Sequence, residues 1–363
     1  VSFQFLEGFT YLDQTILTET GGKFDGWLSD TETDIDVSAS YGRSGTGGLR
    51  LTTGSITTGE RATLTKYLSS DLETVIVGCA VRVESAAAGL TTAEGQGLTK
   101  PVVNFLDGNE YQCALAISPS MRLVAKNGAA NSTNIIGRSD FYLHENVYYY
   151  IEVLATISNV GGVFKVWVDG VLRLNLTDVT TQTTTNSYTN GVRFGLSTLN
   201  NGQGRRIRYD DIYILDPTSG LDHTLGDVIV DELLPNAEFS VQWTPSGAGT
   251  LRYDMVNDTV PDGASTYNSS STTGAVDLFS VENYHLATSG SIWGVGVNLY
   301  ARKPDAGIVT VSPAYRTGST TTKGAPLYLN MTYNYHSEYT EENPVTSSQW
   351  ANVPSSQFGY RKE

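Results

Sequence analysis

The stretch that decides the fold is VFKVWV at 163–168, Asp169-Gly170, then VLRLNL at 171–176. Asp-Gly readily adopts the positive φ angles of a two-residue type I′ turn, and alternating apolar residues on both sides of it predict an antiparallel hairpin. Counting outward from the turn sets Trp167 against Leu172 and Lys165 against Leu174. In that register Val163, Trp167, Leu172, Leu174 and Leu176 form the face predicted to meet the core. Phe164, Val166, Val168 and Val171, with Arg173 and Asn175, fall on a second face, either partly covered or shaped for a ligand.

The same period of two recurs on either side of the hairpin. Val75, Val77, Cys79, Val81 and Val83 share one face, as do Val147, Tyr149, Ile151, Val153, Ala155 and Ile157, the pattern of half-buried antiparallel strands. Further on, the apolar phase switches from Ile207 and Tyr209 to Ile212 and Ile214 across Asp210-Asp211, which predicts a β-bulge. Asp216-Pro217 then stops the strand, and Thr218 to His223 reads as a linker. After a polar stretch from Val256 to Gly274, alternation resumes at Trp293 to Ala301 and again at Leu327 to Tyr335.

The chain has 363 residues, 39% hydrophobic and 17% charged, and is rich in Gly and Tyr. That length suits two domains, and that composition favours strands and turns over helices. The fold predicted is all-β, with two antiparallel, jelly-roll-like β-sandwich domains over 1–221 and 222–363. Neither a fixed-period repeat nor a heptad run is present.

A formal net charge of −15 argues against nucleic acid as a partner. No apolar run approaches the length of a membrane-spanning helix, so no membrane insertion is expected, and VSFQFLEGF at the start has no export signal. Cys79 and Cys113 sit in apolar alternating runs and read as small buried hydrophobes rather than a disulfide.

FDGW at 24–27, SGTGGLRL from Ser44, YYYIEVLATI from Tyr148, the VWVDGVLRL hairpin and the YDDIYILD strand together resemble concanavalin A-like lectin/glucanase domains. The resemblance implies a jelly roll of two curved sheets over the first half. The second half, with LGDVIVDELLPN, QWTPSG, DTVPDGASTYN, DLFSV and ARKPDAG, is similar to the segment that follows such domains in many tailed-phage virion proteins. That implies a virion location at the particle surface, after synthesis in the host cytoplasm. Other virion proteins would be the partners, in a homo-oligomer or multi-copy assembly.

Enzymes with the lectin/glucanase fold carry Glu-x-Asp-x-(x)-Glu on one strand, and the nearest match is Glu32-Thr33-Asp34-Ile35-Asp36. It ends in Asp and has Thr where an apolar residue is usual, so it reads as an acidic loop and no catalytic residue is assigned. His144, His223, His285 and His336 are scattered, without zinc spacing. No cofactor is expected, calcium at Asp210 and Asp211 being the one weak candidate. The bland reading of that acidic pair is a bulge neutralised by Arg205, Arg206 and Arg208.

For a host-surface glycan the candidates are Tyr148 and Tyr150, which alternate against the core face, with Arg173 and Asn175. Cross-strand tyrosines that merely stiffen a sheet are the alternative. Tyr328, Tyr333, Tyr335 and Trp350 are the candidates for a particle interface, against the reading that they fill a core. The function expected is a non-enzymatic structural protein on a tailed-phage particle, as capsid decoration or neck or tail appendage. A carbohydrate-binding host-receptor adhesin is the alternative, and a glycoside hydrolase the third reading.

Overall fold

In a computed structural model the chain is built from antiparallel strands. The structure describes residues 3–10, 17, 22–29, 35–43, 45, 47–53, 62–84, 100–130, 132–196, 205–218, 224–285 and 290–363. It divides into two compact units, one of Phe24–Val230 with the first strand, the other of Asp231–Glu363 with Lys23. The first unit extends past the expected junction at 221/222. It holds the chain as far as Val230 because Gly226 N–H donates to Glu152 Oε1 at 2.9 Å and Val230 N–H to Asp211 Oδ1 at 2.7 Å.

Among the described residues the first unit is a two-sheet sandwich of jelly-roll type. The eight-stranded sheet runs Val171–Val179, Gly162–Val168, Tyr148–Thr156, Thr74–Glu84, Arg205–Leu215, Leu49–Thr53, Ile35–Val37, with Phe3–Glu7 also paired to Arg205–Leu215. The seven-stranded sheet runs Ile135–Tyr142, Arg122–Asn127, Glu110–Ile117, Lys100–Asp107, Thr189–Leu196, Ala62–Leu72, Gly26–Ser29. Rings from the two sheets meet edge to face between them, Phe105 on Phe164 at 6.3 Å and Phe194 on Tyr209 at 5.7 Å. Val75, Val77, Cys79, Val81 and Val83 line this core as their alternation predicts, and Ile151, Val153 and Ala155 pair directly against them.

The hairpin forms on its Asp-Gly turn, with φ of 49° at Asp169 and 74° at Gly170, and Trp167 does face Leu172. On the 163–168 strand the face assignment is reversed, however, while Leu174 on the partner strand is buried as expected. The register shifts just beyond that pair, so Val166 meets Leu174 and Lys165 meets Asn175. The inner neighbour decides which side is buried: Val168, Val166 and Phe164 lie opposite Ile151, Val153 and Ala155, and all six are buried. Arg173 is the extra residue that changes the phase of the outer strand, leaving Val171 and Leu172 exposed.

A second bulge lies at Asp210-Asp211, where the sequence predicts one. Tyr209 pairs with Val81 and Tyr213 with Gly78, and Asp211 takes φ of 49° between them. The phase switch puts Ile207, Tyr209 and Ile214 on the core side and Tyr213 on the opposite side.

The second unit has a six-stranded antiparallel sheet, Pro235–Ser240, Val276–Val281, Gln357–Lys362, Thr310–Thr317, Thr320–Lys323, with Leu327–Tyr328 also on Thr310–Thr317. A ribbon of Val295–Ala301 and Asn334–Thr340 supplies a further layer. Val297 from the ribbon packs with Tyr315, Trp350, Val353 and Phe358 in one buried cluster. Among the described residues no helix is long and apolar enough to cross a membrane.

Candidate functional site

The tyrosines proposed for a glycan lie on the outer face of the eight-stranded sheet, and that face is covered. Tyr150 is 1% exposed. Its hydroxyl donates to the Asp211 carbonyl at 3.0 Å, its ring stacks on Tyr213 at 6.4 Å, and the Arg43 guanidinium lies 5.1 Å from its centroid. It has no free ring face for a sugar, which corrects its assignment. Tyr148 is partly buried and donates to the Tyr41 carbonyl. Arg173 and Asn175 are exposed on the edge strand, Arg173 over Phe141 at 4.4 Å and Asn175 opposite Lys165. The four residues do not form one site.

Asp210 and Asp211 are buried, and N–H groups occupy their oxygens. Asp211 takes Arg43 Nε at 2.5 Å and Val230 N–H at 2.7 Å; Asp210 takes Arg43 N–H at 2.9 Å and Asp211 N–H at 2.8 Å. Arg43 is therefore the neutralising cation, while Arg208 turns to Glu84. Burial, then the charge of Asp211, pushes Asp210 up to about 8. Burial also raises Asp211, against the pull of Arg43. Among the described residues no group of three or more His, Cys, Asp or Glu side chains is placed to hold a metal ion. In the acidic triplet, Glu32 and Asp34 lie outside the described residues. Asp36 accepts from Tyr41 at 2.7 Å and from Arg50 at 3.0 Å.

The interface candidates separate as well. Trp350 is 3% exposed and stacks on Phe358 at 5.7 Å within the core, which corrects its reading as a contact surface. Tyr333 and Tyr335 both pack on Tyr300, at 5.3 and 4.9 Å, and Tyr328 stands 71% exposed.

The outer face of the seven-stranded sheet carries polar side chains that the sequence reading did not single out. Pairing aligns Thr65, Arg193 and Asn104 across three neighbouring strands. The next row on the same side runs Tyr67, Gly191, Leu106, Tyr111. Arg193 Nε donates to Thr65 Oγ1 at 2.9 Å and Nη1 to Tyr111 Oη at 2.9 Å, and the guanidinium lies 5.4 Å from the Tyr111 centroid. Asn104 fixes the strand beneath, donating to the Arg193 carbonyl at 3.3 Å and accepting from Ala130 N–H at 3.1 Å. Arg193 is 9% exposed and Tyr67 38%. Tyr67 donates to Asn109 at 3.2 Å, which orients its ring beside the row.

The signal for this site is in GVRFGL at 191–196 and ATLTKY at 62–67. There Arg193 alternates with the core residues Val192 and Phe194, and Thr63, Thr65 and Tyr67 flank Leu64. An arginine inside an apolar strand marks a face that is neither core nor ordinary solvent surface.

No family model and no curated protein matches the chain. Among solved structures it is similar to the alginate lyase Aly36B at 12% identity, over 52% of this chain and 86% of that one, with a TM-score of 0.36. It is similar to the cellulose induced protein Cip1 at 15% identity, over 59% and 96%, with a TM-score of 0.38. Domain 4 of AbnA, a GH43 extracellular arabinanase from Geobacillus stearothermophilus, matches at 16% identity over 59% and 92%, with a TM-score of 0.36. None of these names is that of a particle component, so the expectation of a non-enzymatic tailed-phage structural protein finds no support among them. At such values the likeness reaches no further than the arrangement of strands, and the chemistry rests on the chain's own residues.

Proposed function

We propose that the first unit binds carbohydrate on the outer face of its seven-stranded sheet. The observation that carries this reading is Arg193, positioned by the buried Thr65 and by Asn104 beneath it, beside the partly exposed Tyr67 and Tyr111. Partly exposed tyrosines offer flat apolar surface for the C–H face of a sugar, and the guanidinium offers donors in a fixed fork for its oxygens. Strands hold such groups more rigidly than loops do, so little freedom is lost on binding.

The test is binding of the full chain to an array of soluble polysaccharides, followed by calorimetry on the ligands found. Aromatic contacts contribute about 0.5–1.5 kcal/mol each. Tyr67→Ala and Tyr111→Ala are therefore each expected to weaken binding roughly two- to tenfold. Failure of the chain to bind any polysaccharide, or binding unchanged in the double variant, would overturn the proposal.

A further inference from the structure

Resting on that reading, we infer that the carbohydrate bound by this face is acidic, and that Arg193 receives its carboxylate. The argument is one of charge balance. A buried guanidinium ordinarily has a carboxylate partner, because a desolvated charge is costly unless it is paired and hydrogen-bonded. Arg193 is 9% exposed, yet its partners are two neutral oxygens, Thr65 Oγ1 and Tyr111 Oη. Among the described residues no carboxylate pairs with it, and its remaining N–H groups have no acceptor.

Three acids close to this face in sequence are engaged elsewhere. Asp25 takes Lys66 at 3.1 Å and Tyr67 N–H at 2.7 Å. Asp107 accepts from Thr184 at 2.7 Å and Asn186 at 3.0 Å, and Asp71 accepts from Asn190 at 3.3 Å. Thr65 and Tyr111 hold Nε and Nη1, which fixes the plane of the guanidinium and leaves Nη2 without a protein acceptor among the described residues. A carboxylate accepts from that nitrogen more strongly than a sugar hydroxyl does, since charge-assisted hydrogen bonds are roughly twice as strong as neutral ones.

The chain's net charge of −15 opposes an anionic ligand at long range. That repulsion is screened within about 8 Å at physiological ionic strength, whereas contact in a partly buried site is screened much less. Affinity for an acidic sugar should therefore depend only weakly on salt, unlike binding to a diffuse basic patch.

The experiment uses the full chain and a panel of galacturonate, glucuronate, mannuronate and guluronate oligosaccharides. Each is compared with its carboxyl-reduced counterpart and with a sulfated glucan. Expected is binding to at least one uronate oligomer, weakened tenfold or more by carboxyl reduction. The same loss is expected in Arg193→Gln, which keeps a donor for Tyr111, with a thermal melt confirming that the variant is folded. If Arg193→Gln does not fold, Tyr111→Phe, which frees the Nη1 donor without removing charge, should retain preference for the uronate over its reduced form. Equal affinity for reduced and unreduced oligomers, or preference for the sulfated glucan, would overturn the carboxylate assignment and leave the carbohydrate reading standing. Binding to no sugar of the panel, neutral or acidic, would overturn both.

Discussion

The Tyr213 ring lies across Gly78 on the neighbouring strand, so closely that a Cβ at position 78 would sit 2.1 Å from its Cε1. The ring cannot withdraw easily. Tyr213 is fully buried, stacks on Tyr150 at 6.4 Å and donates its hydroxyl to Glu152. Gly78→Ala is therefore expected to destabilise the first unit by about 1–3 kcal/mol, the usual cost of overpacking, or more. Urea unfolding would show this as a lower midpoint, and an unchanged midpoint would mean that the ring moves freely.

Stability should also fall as pH rises from about 5 to 8. Asp210 is pushed up to about 8 by burial and the charge of Asp211, above its ordinary carboxylate value. A carboxyl raised in the folded state contributes stability that is present below its unfolded pKa and lost as pH climbs through the folded one. Glu152, raised mainly by burial, adds to the same slope. Lys126, lowered to about 8 by burial and by Arg138, acts in the opposite sense, restoring stability between about 8 and its unfolded value. Asp210→Asn should flatten the slope between pH 5 and 8, whatever its effect on absolute stability. Urea midpoints at several pH values measure both slopes, and equal slopes in the two proteins would remove Asp210 as the cause.

In the second unit, Trp350 and Tyr328 should behave oppositely on truncation. Trp350 donates its indole N–H to Thr340 Oγ1 at 3.3 Å and packs with Tyr315, Val353 and Phe358. Removing such a ring costs about 3–5 kcal/mol. Tyr328 is 71% exposed on a two-residue strand, and Tyr328→Ala should change stability by no more than about 0.5 kcal/mol. The two variants are compared by chemical denaturation followed by tryptophan-independent circular dichroism.

The strands, the hairpin turn and the bulge at Asp210-Asp211 were legible in the sequence because each follows from local chemistry: Asp-Gly for the turn, alternation for the strands, a broken phase at Asp210-Asp211. Which face of the 163–168 strand is buried was not. That choice belongs to its neighbour, through the pairs Ile151 with Val168 and Val153 with Val166, and a single extra residue at Arg173 changed the outcome. The same holds for the site. Tyr148 and Tyr150 alternate as exposed tyrosines would, yet backbone distant in sequence lies against them, at Tyr41 and Asp211. Arg193, Thr65 and Tyr111 come from strands far apart in the chain, and only their register makes them neighbours.

The two cysteines offer a probe of the first unit alone. Cys79 and Cys113 are unpaired and buried, at 2% and 0% exposed, one on each sheet. Burial pushes both thiols far above their ordinary range, with the nearby Glu152 charge adding to the effect at Cys79. Since the thiolate is the reactive form, both should resist modification while the sandwich is intact. An aromatic disulfide reagent at pH 8 is expected to label neither in the native protein and both in urea. Labelling should track the unfolding of this sandwich even where circular dichroism reports a second transition. Prompt native labelling of either thiol would show that the core between the two sheets opens readily, and would contradict the packing of Phe105 on Phe164 and Phe194 on Tyr209 that closes it.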